Sequence, residues 1–295
     1  MDADQVQTVR RFNRTVTRRV GALDESFLGR GRPLSEARLL HEIGSAGADA
    51  RDLRERLALD SGYLSRLLRS LERQGLVASR RAVHDARVTT ASLTDAGRAE
   101  LAELDRLSDA FATSLLRALS EPQRARMVAA MAEVERLMRA TAVEIGEEPA
   151  HGDDARWCIA QYFTELGERF AGGFDHAITL AATPDDLSPP HGHFFVARLD
   201  GRAVGCGALK IVDREVGEVK RMWVARDARG LGVGRRILEA VERRARERGV
   251  RTLRLETNAS LIEAIAMYRQ HGYREVPAFN AEPYAHHWFA KDLAP

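Results

Sequence analysis

Six residues, Arg229-Gly230-Leu231-Gly232-Val233-Gly234, stand between an apolar run at 217–224 and an amphipathic run at 235–248. A strand, a glycine-rich turn and a helix start place a row of backbone N–H groups around a concave positive pole, which suits phosphate oxygens. A pyrophosphate is the expected ligand. Glycine suits such a loop because the backbone must come close to the phosphate, where a Cβ at Gly232 or Gly234 would intrude. An ordinary tight turn at a helix start has the same composition and stays open on the loop alone. The flanks frame it correctly: GEVKRMWV enters the turn as an extended run, and Ile237, Leu238, Val241 and Ala245 follow at helical spacing. No Gly-Lys-Ser/Thr follows, and the glycines fall at the wrong intervals for a dinucleotide fingerprint.

A second block begins with RTLRLE at 251–256, a short strand, followed by Thr257-Asn258 and a helix from about 261 that ends before Gly272. Ala264 and Tyr268 lie a turn apart on one helix face, so the small residue leaves room beside the tyrosine hydroxyl. Ser260-x-x-Glu263 reads as a capping box. The spacing of Arg229, Gly232 and Gly234 resembles the acetyl-coenzyme A pyrophosphate loop of the GNAT acyltransferases. Asn258, Ala264, Tyr268, Gly272 and Tyr273 stand where that family has Asn and then Ala-x-x-x-Tyr-x-x-x-Gly-Phe/Tyr. The resemblance covers about the last 150 residues.

What the resemblance implies is an α/β GNAT fold with a mixed sheet, acetyl-CoA as acyl donor and direct transfer to a primary amine. A tetrahedral oxyanion would form and collapse, and coenzyme A thiolate would leave. The resemblance sets Arg229, Gly230, Leu231, Gly232, Val233, Gly234 and Arg235 at the pyrophosphate, and Asn258, Ala264 and Tyr268 around the cofactor. The backbone of Met222, Trp223 and Val224 is expected to bond the pantetheine arm as an added strand would. Tyr268 takes the family's role of protonating the leaving thiolate, with a half-buried aromatic packing on the sheet as the alternative. Glu218 is the candidate general base. Side chains at 218, 220, 222 and 224 are expected on one strand face, so Glu218 is equally placed to pair with Lys220.

Those elements need a second domain beside them, since 295 residues is a two-domain length. The composition is globular, 44% hydrophobic and 30% charged. No apolar run approaches the ~18 residues of a membrane span, and the amino terminus lacks a signal-peptide core, so a cytoplasmic protein is expected. Cys158 and Cys206 are far apart in sequence and lack metal spacing; buried thiols are the default reading and a redox sensor the alternative. His286-His287 has no acidic or cysteine partner at suitable spacing, and no metal is expected. Tyr162, Phe163, Phe170 and Phe174, with Phe279, Tyr284 and Trp288, either fill the core or line a pocket for a small amine or amino acid. A net charge of +2 indicates no partner by itself.

Residues 1–140 read as nearly all helix with one interruption. An amphipathic helix is expected at 5–28, another at 35–44 with Ser35 as cap after Pro33, and a close pair at 50–59 and 61–74. That pair is a helix-turn-helix. Leu64, Leu67, Leu68 and Leu71 form a core stripe, and the opposite face offers Ser61, Tyr63, Ser65, Arg66, Arg69 and Arg73. Two β-rich runs, 76–81 with Arg80 and Arg81, and 87–93, make a hairpin wing before a long helix at 94–119. SGYLSRLLRSLERQGLV at 61–77, Asp85-x-Arg87 and Ser92-Leu93-Thr94-x-x-Gly97-Arg98 resemble the MarR-type winged-helix regulators.

That second resemblance implies a mostly-α winged helix-turn-helix domain at 1–141 ahead of the GNAT domain at 142–295. It implies double-stranded DNA as partner, a homodimer built from the long helices, and an Asp85–Arg87 pair that stiffens the wing. Residues 51–98 carry ten Arg and six acidic side chains, an excess of +4 where phosphate neutralisation would need it. Ser61, Tyr63, Ser65, Arg66, Arg69, Arg80, Arg81 and Arg87 are the expected DNA contacts, with a merely solvated face as the alternative for any one Arg. Three readings follow: a bifunctional regulator and N-acetyltransferase; a regulator whose GNAT domain is a non-catalytic sensor of acetyl-CoA or an amine; and an enzyme whose winged helix serves only dimerisation.

Overall fold

The computed structural model describes residues 2–81, 89–170, 172–175, 177–180 and 182–293, with Arg81 described through its backbone alone. The chain divides into two units, Met1–Ala129 and Ala130–Pro295. In the first, helix α1 (Ala3–Arg19) opens on a capping box between Asp2 and Gln5. It is shorter than the expected 5–28, because the backbone turns left-handed at Gly21. Helix α2 (Leu34–Ile43) begins directly after Pro33, and no side chain caps it, so Ser35 lies inside the first turn rather than at its start. Proline has no N–H to lose there and its φ is already set.

A two-residue strand β1 (Ala48–Asp49) leads into helix α3 (Ala50–Arg56), which ends three residues before the expected 59 as Ala58 takes φ +50. Helix α4 (Ser61–Arg73) is capped by Asp60, whose carboxylate accepts from Tyr63 N at 2.8 Å. Its Leu64, Leu67, Leu68 and Leu71 are buried against Leu39, Leu40, Ile43 and Leu53. The wing strands β2 (Val77–Arg81) and β3 (Thr89–Leu93) pair antiparallel, and β1 adds to the far edge of β3, giving the order β1-β3-β2. Such a short edge strand leaves no alternating pattern to read. His84, Asp85 and Arg87 lie outside the described residues.

Helices α5 (Asp95–Arg117) and α6 (Glu121–Thr141) follow. Thr94 caps α5, accepting from Gly97 N at 3.0 Å while its own hydroxyl donates to Gly75 O at 2.6 Å. Gly97 allows this docking: a Cβ there would sit 2.0 Å from the Leu76 carbonyl oxygen.

The second unit carries a seven-stranded mixed sheet among the described residues. Its strands are β4 (Glu144–Glu148), β5 (Gly192–Leu199), β6 (Arg202–Ile211), β7 (Val216–Val224), β8 (Thr252–Thr257), β9 (Arg274–Glu275) and β10 (His287–Asp292). The spatial order is β4-β5-β6-β7-β8-β10-β9, antiparallel except for the parallel β7–β8 pair. The β5–β6 hairpin turns at Asp200-Gly201, both with positive φ, 52° and 76°, as a two-residue turn between twisted strands requires. Strand β4 runs through Gly146 to Glu148, paired with 194–198.

Alternation along β5 separates the two sheet faces. Phe194 and Val196 pack with Cys158 of helix α7 (Asp153–Arg169), whereas Phe195 and Ala197 join cores that contain Leu238 and Ile237 of helix α8 (Val233–Glu247). Helix α9 (Ile262–Gln270) buries Ile265 and Tyr268 in the core on the α8 side.

Gly97→Ala should destabilise the first unit by about 1–3 kcal/mol, because its methyl group meets backbone that cannot turn aside. Gly167→Ala, inside α7 with nothing within 4 Å of the added Cβ, should gain about 0.4–1 kcal/mol through the unfolded chain. Scanning calorimetry of the full chain checks both signs.

Candidate functional site

Strands β7 and β8 pair only over 216–218 opposite 252–254. Beyond that point β7 stays with β6 as far as Val224, while β8 stays with β10 as far as Thr257. The parallel pair therefore opens into a V. Opposite charges close its vertex: Arg254 donates from Nε and Nη2 to Glu218 Oε1 at 3.0 and 2.8 Å, and Lys220 Nζ lies 3.1 Å from Glu218 Oε2 and 2.5 Å from Glu256 Oε1. Burial by itself would raise the Glu218 carboxyl, but Lys220 and Arg254 outweigh it and hold it below the usual carboxylate range.

The open arm of β7 carries a bulge. Ala208 pairs with Lys220 and Cys206 with Trp223, so Arg221 and Met222 together face one residue of β6. Arg221 takes φ +58, a left-handed backbone that costs a non-glycine residue about 1–3 kcal/mol. The extra residue breaks the expected single face of 218, 220, 222 and 224. Trp223 turns into the core with Cys158 and Cys206, and Met222 packs on the other side against Val233 and Ile237.

The glycine loop lies at the mouth of the V. Gly230 and Gly232 have φ of 79° and 73°, and Gly232 occupies the N-cap position of α8 with no side-chain cap. The first-turn N–H groups of α8 have no acceptor within the helix, as at any helix start. Left-handed geometry explains Gly232, since a Cβ there meets nothing closer than the Arg235 guanidinium at 3.7 Å. At Gly234 the reason is packing: a Cβ would lie 3.1 Å from Met267 Sδ of α9. Leu231 is buried in the core, so only its backbone faces the loop's concave side.

Arg229 is held by its neighbours. Its Nε donates to Val224 O at 3.0 Å, and Nη2 reaches both Glu165 oxygens at 2.6 and 2.5 Å. Glu165 also accepts from Trp223 Nε1 at 3.0 Å and from Arg169 Nη1 at 3.2 Å. Burial works to raise this carboxyl, and Arg229, Trp223 and Arg169 together overcome it and keep it low.

Two cavities occupy the V. The larger, about 510 Å³, is lined by Trp223, Val224, Gly232, Gly234 and Met267; the smaller, about 110 Å³, by Lys220, Arg221, Glu256, Phe170, Phe174 and Tyr284. Tyr162, Leu166, Met222, Leu261, Ala264 and Tyr268 belong to both. Tyr268 therefore stands at the junction. It is 5% exposed, its ring lies edge-on to Tyr273 at 5.8 Å, and burial drives its phenol upward, so the hydroxyl keeps its proton at neutral pH.

Other sequence-level candidates fall elsewhere. Glu218 lines neither cavity and is engaged by Lys220 and Arg254. Asn258 lines the smaller cavity, not the one beside the glycine loop, and its amide is used locally: Nδ2 donates to Tyr284 O at 2.8 Å and Oδ1 accepts from Ser260 N at 2.9 Å. No capping box forms at Ser260, because α9 starts a residue later than that motif needs; Glu263 instead takes a bond from Arg169 Nη2 at 2.8 Å. His287 pairs with Glu275 at 2.6 Å, and His286 Nδ1 accepts from Ala259 N at 3.3 Å. Cys158 and Cys206 are both buried free thiols; burial, then the neighbouring Cys158, raises Cys206 well above its usual range. Sequence reasoning missed Glu165, Arg221 and Glu256, whose positions depend on a helix–strand contact, a bulge and the parting of two strands.

In the first unit, α4 shows its polar face to solvent. Ser61, Arg66 and Arg69 are exposed, Tyr63 and Ser65 half-buried, and the Arg66 guanidinium lies 5.5 Å from the Tyr63 ring centroid. Arg80 of β2 is exposed as well. Among the described residues no helix is long and apolar enough to cross a membrane.

Comparison with known proteins bears on both units. A family model described as the acetyltransferase (GNAT) family matches residues 159–273, and one for the MarR family matches residues 30–88. The IAA acetyltransferase of Azospirillum brasilense is 37% identical over 134 residues, 45% of this chain and 85% of that protein. The N-acetyltransferase YsnE of Bacillus subtilis is 31% identical over 114 residues, 35% of this chain and 76% of its own length. The HTH-type transcriptional regulator YdgJ of Bacillus subtilis is 30% identical over 83 residues, 28% of this chain and about half, 51%, of that regulator. A V-shaped parting of parallel strands, a glycine loop at its mouth and a tyrosine at its centre thus coincide with the matched segment, and the chain belongs to the GNAT acetyltransferase family, with a winged helix-turn-helix segment ahead of that fold that the MarR family model matches over residues 30–88.

Proposed function

We propose that this protein is a DNA-binding regulator that also transfers an acetyl group from acetyl-CoA to the primary amine of a small molecule, working as a homodimer in the cytoplasm. The observation that carries the reading is the junction of the two cavities at Tyr268, with the glycine loop on one side and a charged, aromatic-walled space on the other. We set the functional boundary at 141/142, where α6 ends.

The residues present fit a pyrophosphate-bearing donor. Two left-handed glycines and an uncapped helix start offer N–H groups to an anion, and Met222, Trp223, Val224 and Met267 give the neighbouring cavity apolar walls for a pantetheine arm. When bound, acetyl-CoA supplies an electrophilic thioester carbonyl and a thiolate leaving group. One C–N bond forms and one C–S bond breaks. Tyr268 gives its phenolic proton to the departing sulfur and recovers a proton from the amine nitrogen, while the first proton of the ammonium passes to solvent. Glu218 is a weak candidate for taking that first proton, since it is ion-paired and its proton affinity is lowered. Its role in this reading is to fix Lys220 and Arg254 at the vertex.

For DNA, α4 would enter the major groove with Arg66 and Arg69 toward base edges, and the β2–β3 wing would lie along the backbone with Arg80, Arg81 and Arg87. Dimerisation has support in unpaired apolar stripes: α1 buries no residue and exposes Val9 at 56%, and α6 likewise buries none and exposes Met131 at 52% and Leu137 at 53%.

Gly232→Asp should abolish acetyl-CoA binding in a calorimetric titration while DNA affinity stays within a few fold; unchanged cofactor affinity would remove the pyrophosphate assignment. Tyr268→Phe keeps the ring and deletes the hydroxyl, so kcat for thiol release with an amine panel should fall roughly 10- to 1,000-fold at similar acetyl-CoA affinity. A wild-type protein that binds acetyl-CoA yet acetylates no amine would support the sensor reading instead. Arg66→Ala should cost about 1–3 kcal/mol on a selected duplex and relax its sequence preference, with acetyl transfer untouched. Affinity measured against salt on selected and scrambled duplexes decides this, and no duplex binding by wild type at low salt would favour the enzyme-only reading.

A further inference from the structure

The smaller cavity is lined by two half-buried charged groups, each with one buried polar atom that lacks a partner. Arg221 donates from Nη2 to Ala182 O at 2.9 Å and lies over the Phe163 ring at 4.7 Å, but its Nε is buried without an acceptor. Glu256 takes Lys220 on Oε1, and its Oε2 is buried without a donor. Buried polar groups are seldom left unpaired, and Arg221 adds a left-handed backbone to that cost. Strain and unsatisfied hydrogen bonding meet in one residue that lines the cavity.

Among the described residues the other charges there are committed. Lys220 sits between Glu218 and Glu256, and the two Glu282 oxygens accept from Leu180 N at 2.8 Å and Tyr284 N at 3.4 Å. What remains is a cation with a planar donor edge and a carboxylate oxygen, beside the rings of Phe170, Phe174 and Tyr284, whose centroids lie 5.0 to 5.7 Å apart. An arginine suits a carboxylate, and a free carboxylate oxygen suits an ammonium.

We propose that the acceptor is the α-amino group of a free amino acid bound as its zwitterion, with its carboxylate on Arg221, its ammonium on Glu256 and an apolar side chain against the three rings. This rests on the acetyl-transfer reading above and names its substrate class. The ammonium's first proton passes to solvent, leaving the nitrogen lone pair free to form the C–N bond. A peptide amino terminus lacks the adjacent carboxylate, and a simple amine leaves Arg221 unpaired.

The test is calorimetric binding, without acyl donor, of L-phenylalanine, L-methionine and L-leucine, each compared with its carboxamide and its decarboxylated amine. At least one amino acid should bind wild type about 10- to 100-fold more tightly than both of its analogues. Arg221→Met should erase the preference for carboxylate over carboxamide, Arg221→Lys should restore part of it, and Glu256→Gln should weaken all three ligands of a set alike. Acetyl-CoA affinity within threefold of wild type shows that each variant is folded. Equal affinity of wild type for an amino acid and its carboxamide, no binding of any amino acid, or a preference that survives Arg221→Met would overturn the proposal. Efficient acetylation of the decarboxylated amines would sink the amino acid class but leave acetyl transfer standing, whereas failure to bind acetyl-CoA would remove the underlying reading itself.

Discussion

Parallel β-strands gain by staying paired, and separating two of them inside a sheet leaves backbone donors and acceptors without partners. In this fold β7 and β8 separate after a three-residue register, and the two cavities described above lie in the gap. Two features make the separation stable. The Glu218, Arg254, Lys220 and Glu256 side chains alternate in charge across the vertex, so the strands are bound where they part. The bulge at Arg221 and Met222 then turns the open arm of β7, sending Trp223 into the core and leaving Met222 between the two cavities. A ligand lying along that edge would make the backbone hydrogen bonds that β8 does not.

Electrostatics at the loop follow from a single buried carboxylate. Glu165 joins Arg229, Arg169 and Trp223, linking α7 to the strand and to the loop. Because Arg229 is already matched by Glu165, an anion at the loop, as proposed above, would be held mainly by oriented N–H groups at the start of α8. Those groups are fixed in place by the backbone itself, so they need no side-chain ordering when an anion arrives.

The parts of this structure that depend on local patterns were legible in the sequence. The leucine stripe of α4 and the glycine loop before α8 each follow from periodicity or turn chemistry within a few residues. What was not legible depends on contacts between distant segments. Glu218 looked like an available base because alternation alone cannot show that Arg254, 36 positions away, would neutralise it. Asn258 matched a family position, yet its amide is taken by Tyr284 across a loop. Arg221 was missed because a bulge shifts the alternation by one residue, and where that extra residue falls is set by pairing with β6.

Arginine shows most plainly why composition does not assign function here. The same side chain is exposed on α4 at Arg66 and Arg69, ion-paired at the strand vertex at Arg254, committed to a carboxylate at Arg229, and strained inside a cavity at Arg221. In the first setting its charge is solvated and free to meet phosphates, so its contribution depends on salt. In the second and third the charge is already balanced, and its value is in fixing geometry. In the fourth, a left-handed backbone and an unmade hydrogen bond at Nε coincide beside a cavity, and it is that combination, rather than the charge, on which the ligand proposal rests.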